Sequence, residues 1–338
     1  MDNLKNTNKS FYSPIEIGSL KLNGNLFLAP IAGYSDVAFR SICVEEGATF
    51  TYTEMVSSEA LVRSSKKTCL LLKKGELEKQ YAVQIFGHSS NNIKEAAKII
   101  ANEVHPSCID LNAGCPMPKI TKQGAGSALL SNLPLLFEIL KALVDSMMPY
   151  DIPITVKIRS GKTCDMPVWK EASKVAVEAG VKAITLHPRS QVQCYSGVSN
   201  TALIGELKNM VKDYDVKVFG SGDLFTPEDA KNMFEKTACD GVMFARGAMG
   251  NPFIFRKTKQ LLETGKYEEI DIKTKIETAK KELLFLSNVK GEHVACLEMR
   301  KRIAPYIKGI NNASEVRKKI VKCTTLKEYE DVLNSVCC

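Results

Sequence analysis

The sequence predicts an α/β fold, a (β/α)8 TIM barrel followed by a small C-terminal all-helical domain. Eight short apolar segments recur between residues 26 and 244, and stretches with helical spacing separate them. Their continuous Val, Ile, Leu and Phe content is typical of parallel strands that are buried on both faces. Eight strands alternating with helices have the size and rhythm of such a barrel. A doubly wound sheet is the structural alternative.

The predicted strands are Leu26–Ala29, Ala48–Thr53, Tyr81–Phe86, Cys108–Leu111, Ile154–Ile158, Ala183–Leu186, Lys217–Phe219 and Gly241–Phe244. The helices between them include Asn92–Glu103, Pro134–Ser146, Val168–Ala179 and Pro227–Glu235. Proline at a first helical turn and glycine after a last turn support these bounds. The segment Ile15–Leu22 predicts a hairpin that closes the N-terminal face of the barrel.

After Phe253 the strand signals cease, and the spacing predicts helices over Lys273–Ser287, Val294–Ile307, Ser314–Lys322 and Leu326–Val336. We therefore divide the 338 residues into a barrel domain, 1–255, and a helical domain, 256–338.

The composition, with 44% hydrophobic and 25% charged residues, is that of an ordinary globular protein. No segment approaches the ~20 apolar residues of a membrane span. The first ten residues are polar and lack the apolar core of a signal peptide, so we expect a cytoplasmic protein without a membrane partner. The 11 cysteines include no Cys-x-x-Cys and no paired His spacing, which favours reduced thiols and no metal site. The terminal pair Cys337–Cys338 is expected to be an exposed tail.

One loop carries the clearest chemical signal. The predicted strand Cys108–Leu111 ends at Asn112-Ala-Gly, and Cys115 then stands between a glycine and Pro116. Two prolines stiffen this loop, and Gly124 and Gly126 allow sharp turns. A thiol in a rigid loop after a buried strand is placed for catalysis. The alternative is a small side chain that fills a gap.

Other polar residues also follow predicted strands directly. In a (β/α)8 barrel these positions open on one mouth, where active sites form. Glycine-containing loops after strands seven and eight, each next to a charged residue, favour a phosphorylated cofactor whose anion an arginine can bind with a fork of donors. The residues concerned are Pro30, Glu54, Gln84, Asn112, Cys115, Arg159, His187, Arg189, Ser221–Asp223 and Ala245–Arg246.

Net charge is +8, and much of it is concentrated near the C-terminus. Between Arg300 and Lys322 there are eight basic side chains against Glu315 alone. A solvated helix face is one reading of such a segment, and a surface that binds phosphates is the other. The concentration of one sign favours the second.

Together these segments resemble the signature of the tRNA-dihydrouridine synthases, most closely the bacterial DusB-type branch. The resemblance covers about residues 14 to 325. It rests on Asn112-Ala-Gly-Cys-Pro with Lys119 and Gly124-Ala-Gly-Ser-Ala-Leu-Leu, and on further segments in the expected order: Ala29–Asp36, Thr53–Ser58, Val83–Gly87, Val156–Gly161, Thr185–Arg189, Gly220–Asp223 and Gly241–Gly247.

The resemblance implies a bound FMN, NADPH as reductant, and reduction of the C5–C6 bond of a uridine in tRNA. It implies that Cys115 donates a proton to C5 and that Asn112 orients the uracil. Arg159 and Arg189 would either contact the phosphate of the extruded nucleotide or support the residues that do. The cofactor residues by this resemblance are Pro30, Ile31, Ala32, Gln84, Lys157, His187, Ser221, Gly222, Asp223, Ala245 and Arg246. The tRNA backbone would be held by Arg300, Lys301, Arg302, Lys308 and Lys318.

Two other interpretations stay open on the residues alone. A flavoprotein similar to dihydroorotate dehydrogenase would share the barrel, the FMN and a loop cysteine but act on a small pyrimidine, which needs no basic segment. An RNA-binding protein on a catalytically inactive barrel would not need Cys115, Lys157 and the phosphate loops together. No obligate protein partner is expected.

Overall fold

The computed structural model describes residues 10–336. The strands are β1 Ile15–Ile17, β2 Leu20–Leu22, β3 Leu26–Leu28, β4 Phe50–Thr51, β5 Val56–Ser57, β6 Ala82–Phe86, β7 Cys108–Ala113, β8 Ile154–Arg159, β9 Ala183–His187, β10 Lys217–Ser221 and β11 Gly241–Phe244. The helices are α1 Val37–Glu45, α2 Ser58–Val62, α3 Lys66–Leu71, α4 Ser90–Glu103, α5 Pro118–Thr121, α6 Leu133–Met147, α7 Trp169–Ala179, α8 Ala202–Met210, α9 Pro227–Thr237, α10 Ile254–Thr264, α11 Ile272–Lys290, α12 Glu292–Tyr306, α13 Ala313–Ile320 and α14 Leu326–Asn334.

Strands β3 to β11 form one parallel sheet in the order β4-β3-β11-β10-β9-β8-β7-β6-β5. Tyr52, directly after β4, makes a parallel bridge to Ala82 at the start of β6, so the sheet closes on itself. The predicted barrel is confirmed, and each of the eight predicted strands is present. The second barrel strand is interrupted, since β5 follows β4 after a short break and pairs with β6 separately.

The predicted hairpin is also confirmed. Strands β1 and β2 pair antiparallel, and Ile17 and Leu20 pack against side chains at the beginnings of the barrel strands, including Ala82 and Cys108. This apolar cluster fills the N-terminal end of the barrel and leaves the opposite end open for a site.

The outer helices begin and end where local chemistry favours it. Helix α9 starts with a capping box between Thr226 and Asp229, with Pro227 in the first turn. Helix α7 ends at Gly180, whose φ of +97° suits a residue without a side chain. These ends fix the lengths of the helices that cover the barrel.

Helices α11 to α14 build a second apolar core, around Leu286, Met299 and Tyr306. Helix α10 belongs with the barrel instead, because Ile254, Phe255 and Leu262 join the barrel core. We therefore propose that the boundary between the two domains, predicted after residue 255, lies in the connection between α10 and α11. Of the helices within residues 10–336, none is both long and apolar enough to cross a bilayer.

Candidate active site

A cavity of about 310 Å³ opens at the carboxyl ends of the barrel strands. Cys115, Asn112 and Arg159 line it together with each residue that the resemblance assigned to the cofactor. The latter are Pro30, Ile31, Ala32, Gln84, Lys157, His187, Ser221, Gly222, Asp223, Ala245 and Arg246. Residues from seven different strand ends therefore meet in one place, as the barrel predicts.

The loops after β10 and β11 form a backbone cradle at one side of this cavity. Gly222 and Asp223 both have positive φ, +116° and +52°, so that successive N–H groups can point toward one anion. A Cβ on Gly222 would lie 2.5 Å from the Ser199 hydroxyl, and one on Gly247 would lie 1.9 Å from the Leu224 carbonyl oxygen. Side chains are thus excluded from both turns, and the backbone stays open to a ligand.

His187 ends β9 and lines the same cavity. Burial, with Lys157 and the nearby arginines, lowers the pKa of His187 to about 2, so the imidazole is neutral. Its Nε2 is buried and has no hydrogen-bond partner among residues 10–336. A cavity that gathers several cations and an unpaired imidazole nitrogen is suited to an anionic ligand.

Lys157 lies in the middle of β8 and is paired in register with Asn112 on β7. Burial, followed by repulsion from Arg159, lowers the pKa of Lys157 to about 8. No hydrogen bond or ion pair holds its ammonium group within the described part of the chain. The group is therefore free to meet a ligand in the cavity.

Cys115 is half-buried at the end of its loop. Its carbonyl oxygen accepts hydrogen bonds from the Ser127 backbone N–H and hydroxyl, at 3.0 and 2.9 Å. Burial raises the pKa of the Cys115 thiol above its ordinary value, against smaller lowering effects that include Arg159. The thiol is therefore protonated at neutral pH, which suits a proton donor.

Asn112 and Gln84 are joined by hydrogen bonds. The Asn112 side-chain oxygen accepts from the backbone N–H groups of Gly114 and Cys115, at 3.1 and 2.8 Å, and its Nδ2 donates to Gln84 Oε1 at 2.8 Å. Gln84 Nε2 donates in turn to Asp110 at 2.7 Å. The structure therefore uses the Asn112 oxygen to hold the cysteine loop, and the uracil contact predicted for Asn112 stays a prediction.

Arg159 and Arg189 are both almost fully buried, which leaves little of either side chain for a nucleotide. Arg159 lines the cavity, but its guanidinium donates to the carbonyl oxygens of Gly114, Ser190 and Cys194 and so joins two loops. Arg189 does not reach the cavity. It is 2% exposed and binds Asp223 with two parallel hydrogen bonds of 2.8 and 2.7 Å.

Of the two roles expected of Arg189, direct contact with the nucleotide phosphate is therefore corrected, and the supporting role stays a prediction. Its guanidinium is consumed by Asp223 and by the carbonyl oxygens of Ser196 and Gly197. Arg189 instead holds the loop after β10 through the Asp223 side chain. The Asp223 carboxylate also accepts a hydrogen bond from Arg246 at 3.2 Å.

The basic segment divides into buried and exposed members. Arg302 has no exposed surface and is paired with Asp36 and Glu282, each at 2.8 Å, so the expectation that it contacts tRNA is also corrected. Arg300 is partly buried and donates to the Cys323 carbonyl oxygen. Lys301, Lys308 and Lys318 remain exposed. Lys301 donates to the Gly33 carbonyl oxygen beside the mouth.

Two aromatic side chains at the mouth are not among the site residues expected from the sequence. Tyr195 and Phe225 are about half exposed, and their ring centroids lie 4.7 and 5.2 Å from the Arg246 guanidinium carbon. Exposed aromatic residues beside a cavity could have drawn attention, but only the fold brings them to Arg246. They form an apolar rim on which a base can stack.

The site can now be set beside known proteins. Residues 27–337 match the family profile described as Dihydrouridine synthase (Dus). The chain belongs to the dihydrouridine synthase family. Its relatives in this family include a probable tRNA-dihydrouridine synthase of Treponema pallidum, which is 49% identical over 97% of both chains. A protein of the same description from Aquifex aeolicus is 34% identical over 90% of this chain and 93% of its own. The tRNA-dihydrouridine synthase B of Pseudomonas putida is 38% identical over 75% and 74%.

Solved structures share the fold of this family member. Histamine dehydrogenase from Rhizobium sp. 4-9 superposes with a TM-score of 0.57 at 14% identity, over 83% of this chain and 51% of its own. The enzyme named TcOYE superposes with a TM-score of 0.52 at 10% identity, over 77% and 94%. At these identities the likeness concerns the fold alone, and it confirms the barrel. Among the described residues, no group of three or more His, Cys, Asp or Glu is placed to hold a metal ion.

Proposed function

We propose that this dihydrouridine synthase family member uses a bound FMN and NADPH to reduce the C5–C6 bond of a uridine in tRNA, in the cytoplasm. The observation that carries the proposal is one cavity in which a protonated thiol, an unpaired lysine and a backbone cradle with its arginine lie together. A free-pyrimidine reductase would need this cavity as well, but it would not need the exposed lysines of the helical domain. An inactive RNA-binding barrel would not need the thiol and the lysine.

The residues present fit an FMN. The loops at Gly222 and Gly247, with Arg246, suit the phosphate, and the unpaired Nε2 of His187 offers one further polar contact. Pro30, Ile31 and Ala32 would form the wall for the ring. Bound there, the flavin supplies hydride chemistry.

Lys157 supplies the ammonium group that β8 presents to the same cavity. Near a flavin, a cation stabilises the negative charge of the reduced ring. Its pKa of about 8 in the flavin-free protein means that a modest gain from an anionic ligand keeps it charged through the neutral range.

Lys157→Met should lower the reduction potential of the bound flavin, since removing the cation destabilises the reduced form. An effect of about 1.4 kcal/mol corresponds to about 30 mV for a two-electron couple. A dye-coupled reductive titration of the holoenzyme measures it. Lys182→Met is the matched control, because Lys182 is paired with Asp215 at the surface and should not change the potential. If the parent and Lys157→Met had equal reduction potentials, the assignment of Lys157 to the flavin would be wrong.

We assign the proton transfer to Cys115. Reduction at C6 leaves C5 in need of a proton, and a neutral thiol is an effective donor when it is held against the base. The loop bonds of Cys115 to Ser127 and Asn112 supply that rigidity. Tyr195 and Phe225 offer the stacking surface for an extruded base at the mouth.

The tRNA backbone is proposed to lie over the exposed lysines of the helical domain, with Arg300 as a partly buried neighbour. The double variant Lys301→Glu and Lys318→Glu should raise the KM for tRNA. It should also reduce the salt dependence of binding by the amount expected for the loss of about one to two phosphate contacts. The control is the double variant Lys21→Glu and Lys141→Glu, which carries the same change of charge. Lys21 lies on the hairpin at the closed end of the barrel, and Lys141 is paired with Asp145. A parental KM and salt slope in the first variant, or equal losses in both, would contradict this interface.

The proposed activity is tested with purified protein, NADPH and unmodified tRNA, followed by digestion and mass measurement of the nucleosides. A uridine that gains two hydrogens supports the proposal. Orotate-dependent turnover without change in tRNA supports the small-pyrimidine enzyme, and a colourless protein that only binds tRNA supports the inactive barrel. Replacing NADPH with NADH in the same assay identifies the preferred reductant.

A further inference from the structure

The buried carboxylate of Asp110 lies two residues before Asn112 on β7 and does not contact the cavity. It is completely buried and accepts two hydrogen bonds, from Thr155 Oγ1 at 2.6 Å and from Gln84 Nε2 at 2.7 Å. The three residues are paired in register across β6, β7 and β8, so they form one polar row inside the barrel. Asp110 is not among the site residues expected from the sequence.

We infer that Asp110 is a positioning residue for Cys115, acting through the side-chain amides of Gln84 and Asn112. A carboxylate can only accept, so Gln84 must turn its NH2 toward Asp110 and its oxygen toward Asn112. Asn112 must then donate to that oxygen and turn its own oxygen to the N–H of Cys115. The inference rests on the proposed role of Cys115 as proton donor.

If Gln84 reversed, its NH2 would face Asn112, and Asn112 would have to reverse as well. Its NH2 would then face the N–H groups of Gly114 and Cys115, which places donor against donor. The acceptor at position 110 thus determines whether the cysteine loop is held or released.

Burial makes the ionised Asp110 carboxylate unfavourable for the fold. Burial raises the pKa of Asp110 to about 6, despite its hydrogen bonds to Thr155 and Gln84. The charged form therefore gains less from its partners than it loses by leaving water, and an uncharged acceptor would serve the fold at least as well.

Asp110→Ala should slow single-turnover reduction of uridine, starting from reduced flavin, by about 10- to 100-fold. It should also speed hydrogen exchange in peptide 112–117 by about tenfold, because the amides of Gly114 and Cys115 lose their fixed acceptor. Exchange is measured on the flavin-free protein as well, so this readout does not depend on activity.

Asp110→Asn should stay close to the parent in both measurements. The Thr155 hydroxyl can turn to accept from the new NH2, which leaves the amide oxygen facing Gln84. Thr155→Val alone should also stay close to the parent. The double variant Asp110→Asn with Thr155→Val loses that acceptor and should resemble Asp110→Ala, which tests the inference even if the alanine variant folds poorly.

A double-mutant cycle separates action through Cys115 from a general loosening of the site. In a Cys115→Ala background, Asp110→Ala should change the uridine reduction rate by less than about twofold. The inference would be overturned if the rate losses of Asp110→Ala and Cys115→Ala were additive, or if Asp110→Asn lost as much rate as Asp110→Ala. Unchanged hydrogen exchange in Asp110→Ala would also overturn it. If Cys115→Ala itself reduced uridine at the parental rate, the proposed function of Cys115 would fail, while the exchange data would still decide whether Asp110 holds the loop.

Discussion

Cys115→Ala should slow the reduction of uridine in tRNA by about 10²- to 10⁴-fold, the usual contribution of a positioned general acid. Reduction of the bound flavin by NADPH should stay nearly unchanged, since Cys115 takes no part in it. Stopped-flow absorbance follows the flavin, and nucleoside mass analysis follows the product. The two half-reactions therefore report separately on the thiol.

Cys164→Ala is the matched control, because Cys164 is an exposed cysteine whose Sγ lies 3.8 Å from the Ser190 hydroxyl and is absent from the cavity wall. The pH dependence gives a second check. Burial raises the pKa of Cys115, so the protonated form persists through neutral pH, and the uridine reduction rate should decline only on the alkaline side. Parental product formation by Cys115→Ala, or a rate that increases with pH, would show that the proton comes from another group.

The barrel could be predicted because parallel strands that are buried on both faces appear in the sequence as continuous apolar segments. β8 and β9 are examples, and both lie in the structure where the apolar pattern of the sequence predicts a strand. The interruption between β4 and β5 could not be predicted in the same way. Its cause is a bridge from Tyr52 to Ala82 and a second pairing from Val56, and both depend on barrel closure.

The candidate site could be predicted as far as position decides it. Because parallel strands end on one side of a barrel, residues such as Gln84, Lys157 and Ser221 had to meet there. The corrected residues depend on partners far away in the sequence. Arg302 finds Asp36, 266 residues away, and composition indicates the sign of a segment without showing which side chains face solvent. Asp110 was missed because a buried acid within an apolar strand gives no sign of what it accepts.

Arg302→Met should lower the free energy of unfolding by about 3–5 kcal/mol, measured by urea denaturation. Arg302 has no exposed surface and binds Asp36 and Glu282 at once, while its guanidinium carbon lies 4.7 Å from the Tyr34 ring centroid. Methionine fills similar space but leaves two buried carboxylates without their shared cation. Lys301→Met is the control, since exposed lysines contribute at most about 1 kcal/mol.

Asp36 and Glu282 would keep different partners in Arg302→Met. Asp36 keeps Lys290 at 2.7 Å, whereas Glu282 keeps only the Tyr306 hydroxyl. Although burial acts against it, Arg302 and Lys290 hold the pKa of Asp36 below its ordinary value, while burial outweighs Arg302 and raises the pKa of Glu282. Adding Glu282→Gln to Arg302→Met should therefore recover part of the lost stability. If the double variant is no more stable than the single one, the uncompensated charge of Glu282 is not the source of the loss.

The ion pairs of Arg302 with Asp36 and Glu282 connect the helical domain to the loop that we propose as the wall for the flavin ring. Asp36 caps helix α1 by accepting from the Phe39 N–H, and the turn just before it runs from Ile31 to Ser35 through hydrogen bonds of 2.9 to 3.0 Å. Releasing Asp36 from Arg302 should therefore loosen the loop that lines the cavity and weaken FMN binding in Arg302→Met, as measured by fluorescence titration of the flavin-free protein. In the double variant Arg302→Met with Glu282→Gln, Asp36 still lacks Arg302 and keeps Lys290 as its basic partner among the described residues. This variant should therefore regain stability without regaining full FMN affinity. That separation would show that α12 contributes to the cofactor site through the loop and not through stability alone.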